Sequence, residues 1–408
     1  MKTSTLLLCA AMLALGVVQT KAQMSEYDYN QPVGWATVDG GVTGSNDENP
    51  IRVTSRQELN NALSGSTPAT IYIDGQIEFT GVLSRSGVSN KTIYGLPGSA
   101  LVNLTHSETP SRSGILRLTD CNNIIIRNVT FKASGAYDMD GNDNLDLHGS
   151  TNIWVDHCDF QDGVDGNFDC NNGSDNIAVT WCRFRYLIEP WPGGSGGSSD
   201  HRFSNLWGGS DSEDESIGHL NTTFYACWWD EGCRERMPRV RFGKVHMLNC
   251  LYKSDMLRNT GYAIGIGYLA SIYVERCAFI DVKNPYKDQT SGSKTDYYVT
   301  FKDCEGIDDI TLQDGNSTAY VPSYTLESMP VNQVETEVSK YAGATLNVEY
   351  GEGVTTGISN IGVSDADVVS TEYFSPSGTK LNAPQRGLNI VRQKMSDGTV
   401  RTRKTIVK

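Results

Sequence analysis

The chain has 408 residues, of which 34 are basic and 48 acidic, so its formal net charge is −14. Phosphates repel a strongly acidic protein, which excludes duplex nucleic acid as the main partner. Hydrophobic residues make up 38% of the chain and charged residues 20%, which allows a sizeable core and excludes a wholly disordered protein. The 41 glycines favour a fold with many turns over a helical bundle.

Residues 1–22 are predicted to be a signal peptide. A basic start at Lys2 precedes an apolar run from Leu6 to Val18 and a small-residue cleavage site that ends at Ala22. The run is shorter than the roughly 20 apolar residues that a membrane-spanning helix needs. We therefore expect an exported monomer without a membrane span. Loss of Lys2 and Lys21 would change the net charge from −14 to −16.

The middle of the chain contains a repeat of short units. Each unit has alternating apolar residues, then cysteine or valine, and an aromatic residue two positions later; the cysteine or valine is Val129, Cys158, Cys182, Cys227, Cys250 or Cys277. The steps between these positions are 29, 24, 45, 23 and 27 residues, which is typical of a solenoid. Because the apolar period within a unit is two, the units are predicted strands. The predicted fold class is all-β, a right-handed parallel β-helix in which each coil buries one face against its neighbours.

The five cysteines of the repeat occupy equivalent positions, so we expect them to stack inside the solenoid as buried free thiols. Disulfides between adjacent coils are the alternative, since export permits them. Loss of Cys9 with the signal peptide leaves nine cysteines, and this odd number requires at least one free thiol.

The long step in the repeat indicates an insertion between Cys182 and Cys227. It contains a Gly-Ser-rich stretch, 191–199, and an acidic stretch, 211–215. A loop that grows from one coil of a solenoid lines its binding face, or else is a flexible solvated insertion.

The pattern changes after about residue 310. A short helix from Val331 to Ala342 is predicted to cover the last coil, and a small β module follows from Gly357. The predicted domains are therefore a signal peptide at 1–22, a β-helix at 23–355 and a C-terminal module at 356–408. The turn from Tyr373 to Lys380 and the strand that starts at Gly387 are similar to the C-terminal tail modules of exported proteins of Bacteroidetes-type bacteria. That resemblance implies a sorting or accessory role.

Acidic residues form a first candidate site at Asp143, Asp165 and Asp169. Calcium prefers several oxygen ligands, which carboxylates from neighbouring coils can supply. On a straight strand, residues four apart lie about 13 Å from each other, so Asp165 and Asp169 can share an ion only if the backbone bends. The spacing alone is also compatible with ordinary turn residues.

Basic residues form a second candidate site, with four arginines at Arg234, Arg236, Arg239 and Arg241. Guanidinium groups bind carboxylates through two parallel hydrogen bonds, so this patch suits a small anion or an acidic polymer. Structural salt bridges to neighbouring acidic side chains are the alternative.

Two segments, Trp154-Val-Asp-His157 and Arg236-Met-Pro-Arg-Val-Arg241, resemble the signature motifs of the pectate lyases of polysaccharide lyase family 1. Those enzymes are right-handed parallel β-helices, in agreement with the repeat, and the likeness extends over roughly residues 50–325. The resemblance implies a secreted, calcium-dependent enzyme that cleaves polygalacturonate by β-elimination. A pectin lyase acting on methyl-esterified polymer and a non-catalytic, glycan-binding solenoid are the alternatives.

The resemblance implies roles for the residues of both candidate sites. The calcium ligands would be Asp143, Asp165 and Asp169. Arg236 matches the catalytic base and Arg241 the arginine that binds the substrate carboxylate, with Arg239 as a further substrate-binding residue.

The sequence departs from the family pattern at two positions. An acidic residue that many members carry before the first calcium ligand is Gly141 here, and the cleft lysine aligns with Phe203. We expect Arg202 to bind substrate in place of that lysine, although neighbouring residues on a strand point to opposite faces. Trp154, Asp156 and His157, from the first of the two motif segments, are expected to be structural residues.

Overall fold

The computed structural model describes residues 24–354, 368–375, 379–395 and 400–407, so the predicted signal peptide lies outside the described residues. The chain divides into two compact units between Gly357 and Ile358. In the described residues of the first unit, parallel strands form three long sheets, and each complete coil contributes one strand to each sheet. The prediction of a parallel β-helix is therefore confirmed.

Sheet I consists of eight strands in the described residues: Leu83–Ser86, Leu116–Thr119, Leu145–His148, Phe168–Asn171, Leu206–Trp207, Arg239–Val240, Ile264–Ile266 and Tyr286–Asp288. Sheet II consists of eleven: Ile51–Val53, Ala69–Ile73, Ser89–Gly95, Asn122–Arg127, Thr151–Asp156, Asp175–Thr180, Thr222–Tyr225, Lys244–Leu248, Ser271–Glu275, Tyr297–Lys302 and the antiparallel Ile310–Asp314. Sheet III consists of eight: Gln76–Glu78, Ala100–Val102, Thr130–Lys132, Asp159–Gln161, Arg183–Arg185, Trp228–Trp229, Leu251–Tyr252 and Ala278–Phe279.

The aromatic residues of the repeat form a continuous stack inside the solenoid. Consecutive ring centroids lie 4.4–5.4 Å apart along the series Phe131, Phe160, Phe184, Trp229, Tyr252 and Phe279. All six side chains are buried, and each belongs to sheet III. The aromatic position of the repeat is therefore an inward-facing position at which every coil packs on the next.

The corner between sheet II and sheet III explains the position of the cysteines. In successive coils a residue in the left-handed region, among them His157 (φ 47°), Trp181 (φ 50°) and Asn249 (φ 52°), turns the chain just before the cysteine. The five cysteines of the repeat, which we call the ladder cysteines, are fully buried and are free thiols, as predicted. Burial raises the pKa of the Cys158 thiol well above its usual range, so this thiol is a small apolar core group.

Two α-helices in the described residues flank the solenoid. Helix α1, Arg56–Ala62, begins at the N-cap Ser55, whose side chain accepts a hydrogen bond from the Glu58 amide, and it buries Leu59 in the main core. Helix α2, Val331–Tyr341, confirms the predicted helix but packs Val334 and Val338 against the outer side of sheet III instead of covering the last coil. None of the helices in the described residues is long and apolar enough to cross a bilayer.

Short elements complete the two units. The first unit also contains the antiparallel pair Val348–Glu349 and Gly353–Val354 and the 3₁₀ turns Gly34–Thr37, Pro110–Arg112, Asp214–Ser216 and Asp255–Arg258. In the second unit the described strands form an antiparallel sheet: Val368–Phe374, Lys380–Leu381, Gly387–Met395 and Val400–Val407.

Candidate active site

Both candidate sites lie on the outward face of sheet I and in the turns next to its strands. The register of adjacent strands aligns one residue from each strand in an outward row: Arg117, Asp146, Asp169, Leu206, Arg239, Gly265 and Lys287. The residues that alternate with this row, such as Phe168 and Val240, are buried in the core. Asp146 and Asp169 therefore lie on one side of Leu206 in this row, and Arg239 and Lys287 lie on the other side. We call this surface the charged row.

At the acidic end of the charged row, Asp169 and the nearby Asp143 form no ion pair with another described residue. Asp143 is 5% exposed, and its Oδ1 is buried without a hydrogen-bond partner. Burial, together with repulsion from neighbouring aspartates, raises the pKa of both Asp143 and Asp169 well above the usual range. A Cβ built on Gly166 would lie 2.5 Å from Asp143 Oδ1 and 3.3 Å from Asp169 Oδ1, so this glycine keeps the space between the two carboxylates open.

Asp165 belongs to the same cluster but has protein partners. The strand of Asp169 begins only at Phe168, so the backbone bends between the two aspartates, as a shared ion would require. Oδ2 of Asp165 accepts a hydrogen bond from the Gly141 amide at 3.0 Å, and its Oδ1 lies 3.2 Å from Nε2 of His201. Within the described residues, no three His, Cys, Asp or Glu side chains already converge in metal-binding geometry.

Asp146 and His201 also belong to the candidate site, although the sequence motifs do not indicate them. Asp146 is 1% exposed, pairs in register with Asp169 and forms ion pairs with Arg117 and His148. His201 lies between two carboxylates, with Nδ1 at 2.8 Å from Oδ1 of Asp138 and Nε2 facing Asp165. Alternation along the strand from Leu145 could have placed Asp146 on the outward face. The position of His201 depends on how the insertion folds, which no local pattern indicates.

The insertion borders the candidate site; that it lines a binding face stays a prediction. The amide of Gly196 donates to the carbonyl of Asp138, and the amide of Ser198 donates to its carboxylate, which anchors the Gly-Ser-rich stretch. Further along, the amide of Leu206 donates to Asp169 Oδ1 at 2.8 Å. The long step in the repeat therefore forms one wall of the site.

Arg236 faces the acidic end from the turn before the strand Arg239–Val240. Its backbone is left-handed (φ 59°), and its carbonyl accepts a hydrogen bond from the Asn205 amide at 2.8 Å. The guanidinium carbon lies 4.7 Å from the ring centroid of Phe203, a cation–π contact. The positive charge of Arg236 also lowers the pKa of Asp169, against the larger opposite effects of burial and Asp146.

Arg239 is a partly buried cation in the charged row. Its Nη2 donates to the Gln289 carbonyl at 3.3 Å, while its buried Nε has no hydrogen-bond partner. Burial and repulsion from Arg241 and Arg236 lower the pKa of Arg239 to about 10. No carboxylate within the described residues forms an ion pair with it, so its charge is available to a ligand.

The other two predicted substrate-binding arginines have acidic partners. Nε of Arg241 lies 2.5 Å from Oδ1 of Asp211, and its Nη1 donates to the Gly208 carbonyl at 2.7 Å. Arg202 makes two hydrogen bonds to Asp200, at 2.8 and 2.7 Å. A substrate carboxylate would have to share Arg241 with Asp211, and binding to Arg202 would require its ion pair to open.

The motif at Trp154 lies on sheet II, away from the charged row. Asp156 is fully buried, with Arg127 Nε at 2.8 Å and His157 Nδ1 at 2.9 Å from its Oδ2. The Trp154 indole donates to Thr180, whose hydroxyl donates to Asp156 Oδ1. These contacts are those expected of structural residues.

Comparison with known proteins identifies relatives of the chain. The profile of the family described as pectate lyase matches residues 1–347. Probable pectate lyase B of Aspergillus terreus is 28% identical over 354 residues, which cover 82% of this chain and 96% of that protein. The pectate trisaccharide-lyase of Thermotoga maritima is 30% identical over 271 residues, covering 63% of this chain and 66% of that protein.

Solved structures share the fold. A pectate lyase bound to a hexasaccharide aligns with a TM-score of 0.58 and 20% identity, covering 80% of this chain and 98% of that chain. A pectate lyase from Paenibacillus sp. 0602 aligns with a TM-score of 0.59 and 16% identity, again over 80% and 98% of the two chains.

Proposed function

Because the chain belongs to the pectate lyase family, we propose that it cleaves polygalacturonate outside the cell by calcium-dependent β-elimination. The observation that carries this proposal is the charged row, in which Asp169, a half-buried neighbour of the buried Asp143, lies within reach of the positive charge of Arg236. An acidic end that needs a cation lies beside Arg236 and Arg239, which form no ion pair within the described residues. This arrangement suits a polymer that carries a carboxylate on every sugar.

Asp143, Asp165 and Asp169 would hold the calcium ion. The residues fit this role because Asp143 Oδ1 is buried without a partner and Gly166 leaves room between two carboxylates. Gly141 stands where the family pattern has an acidic residue, and its amide already donates a hydrogen bond to Asp165 Oδ2. When bound, calcium supplies a Lewis acid that stabilises negative charge on a substrate carboxylate.

Arg236 would take the proton from C5 of the sugar. The electron pair of that C–H bond forms the C4–C5 double bond, the bond from C4 to the leaving oxygen breaks, and this oxygen is protonated by solvent. Arginine can accept this proton only as the neutral guanidine, and nearby positive charge favours that form over the guanidinium. Positive charge is concentrated in this patch: burial and then repulsion from Arg241 and Arg236 lower the pKa of Arg239 to about 10.

Arg239 and Arg241 would bind the carboxylate of the reacting sugar. Negative charge develops on this group as the C5 proton leaves, so fixed cations beside it stabilise the transition state more than the ground state. Arg239 has no acidic partner in the described chain, so its whole positive charge can stabilise the substrate carboxylate. Asp211 already neutralises part of the charge of Arg241. Arg202 would contribute only if Asp200 released it.

The two ends of the chain would direct the enzyme to its location. Residues 1–22 have the composition of an export signal, and residues 356–408 would be a sorting or accessory module. The proposed site residues lie between these segments.

The test is an assay of the parent enzyme on polygalacturonate, with and without excess calcium chelator. We expect formation of an ultraviolet-absorbing unsaturated uronate that stops with the chelator and resumes when calcium is added. Asp169→Asn should lose calcium affinity and activity together, measured by titration calorimetry and steady-state kinetics.

Asp74→Asn is the matched control, because Asp74 forms an exposed ion pair with Arg52 and should tolerate the same change. Full activity in excess chelator would contradict the calcium role. Turnover of methyl-esterified polymer alone would identify a pectin lyase, and binding without any unsaturated product would identify a glycan-binding protein.

A further inference from the structure

The charged row continues past the proposed catalytic residues. Beyond Arg239 the register leads to Gly265 and then to Lys287 on the strand Tyr286–Asp288. The preceding residue, Tyr286, packs inward, with its ring 5.6 Å from that of Phe301. Since side chains alternate along a strand, Lys287 extends from the outer face, and it is exposed.

Gly265 lies between Arg239 and Lys287 in the row and leaves room for the Arg239 side chain. A Cβ at this position would lie 3.0 Å from both Cβ and Cγ of Arg239, tighter than most real contacts. Gly265 is not among the glycines with positive φ, so the backbone itself does not require glycine here. The stem of Arg239 lies close over the glycine, and its Nη2 reaches the Gln289 carbonyl, just after the strand of Lys287.

Among the described residues, neither cation has an acidic partner. In the described parts of the chain, no ion pair joins Arg239 or Lys287 to a carboxylate, and Nε of Arg239 is buried without a hydrogen bond. The neighbouring Asp288 is engaged elsewhere, since Thr290 donates to its Oδ1 from the backbone amide at 2.8 Å and from the hydroxyl at 2.6 Å. The Lys287 ammonium lies 5.1 Å from the ring centroid of Tyr262, which helps to position it over the row.

From this arrangement we infer that Lys287, two strands beyond Arg239 and separated from it by Gly265, forms a second carboxylate-binding subsite for a distant uronate of the same polymer chain. This inference rests on the proposed function and extends it along the substrate. Neighbouring strands are about 4.8 Å apart, so Lys287 lies about 19 Å along the sheet from Asp169. Only an oligomer of several sugars can occupy the acidic end of the row and reach Lys287 at the same time.

The test is Lys287→Gln, assayed on tri- and hexagalacturonate. We expect KM for the hexamer to rise about two- to fivefold, the range of an exposed ion pair, with kcat and the kinetics of the trimer unchanged. Affinity for the hexamer in an Arg236→Ala background, measured by calorimetry, should fall by the same factor, because it reports binding without turnover.

Lys283→Gln is the matched control, since Lys283 is an exposed lysine that precedes the strand of Lys287. Lys287→Arg should restore the parent KM.

Equal KM values for parent and Lys287→Gln would overturn the subsite, as would an equal effect of Lys283→Gln or an equal loss on the trimer. An inactive parent would instead contradict the proposed function, so the two failures are distinguishable.

Discussion

At the scale of single residues, an aromatic ring occupies the position where the family pattern has a lysine. Phe203 lies under the guanidinium of Arg236, and its other neighbour is His201, with ring centroids 4.2 Å apart. His201 in turn faces Asp165. The ring therefore contacts the proposed base directly and the proposed calcium ligand through one histidine. It orients Arg236 without adding another positive charge to the patch.

Replacing Phe203 by leucine should lower kcat about tenfold with less than a twofold change in KM. A partly desolvated cation–π contact contributes up to about 2 kcal/mol, and its loss frees the guanidinium to leave its reactive orientation. Phe203→Tyr keeps the ring and should retain activity near that of the parent. Steady-state kinetics on polygalacturonate check both variants. A loss that appears only in KM, or an equal loss for tyrosine, would contradict the positioning role.

At the scale of elements, the corner after sheet II is fixed by a buried charge network. Arg127 and Asp156 belong to adjacent strands of that sheet, and His157 is the left-handed corner residue. The network extends to the N-terminal segment, since Nε2 of His157 lies 3.5 Å from Asp28 and Arg127 donates to Asn30 at 2.9 Å. Removing one charged group of this network leaves the remaining charges buried and only partly neutralised.

Asp156→Asn should lower the free energy of unfolding by about 3 kcal/mol at neutral pH, because it leaves Arg127 buried without its anionic partner. Burial alone would raise the pKa of Asp156, but His157, Arg127 and hydrogen bonds outweigh it and lower this pKa to about 2. The contribution of this carboxylate is therefore fully present above pH 3.8 and is lost as the pH falls towards 2.

Urea unfolding of parent and variant between pH 7 and pH 3 checks this prediction, and their difference should shrink at the acidic end. Glu335→Gln is the control, since Glu335 forms an exposed pair with Lys253 and should change stability by less than about 1 kcal/mol. A constant difference across the pH range would contradict the assigned ionisation.

At the scale of the whole molecule, the proposed chemistry belongs to the first unit alone. The proposed site residues, from Asp143 to Lys287, lie on sheet I or in the turns and insertion next to it. The second unit has its own antiparallel sheet and contributes none of them.

Truncation after Gly357 should leave kcat/KM on soluble polygalacturonate within about twofold of the parent value. The first unit is compact by itself and contains the complete charged row. Circular dichroism should confirm that the shortened protein is folded before its kinetics are compared with those of the full chain. A folded truncation without lyase activity would show that the second unit contributes to the site.

Much of the fold was predictable because each coil repeats the same local pattern. The aromatic positions from Phe131 to Phe279 and the ladder cysteines are inward-facing in every coil, so an alternation of period two and a step of 23–29 residues sufficed to predict them. Helix α2 was predicted with its correct extent, but not its place against sheet III, because an apolar helix face does not specify which surface covers it. Signal-peptide and domain boundaries stay predictions.

The sequence by itself determined the solenoid, its inward positions and the segments in which carboxylates and guanidiniums concentrate, since these follow from short-range periodicity and motif spacing. The tertiary structure alone decided which charges remain available: Asp211 pairs with Arg241, Asp200 pairs with Arg202, and Arg239 has no acidic partner in the part of the chain that the structure describes. Register between coils also placed Lys287 in the row of Asp169, 118 residues earlier. Such pairings join residues that are distant along the chain or lie in irregular loops, where no local period specifies the contact.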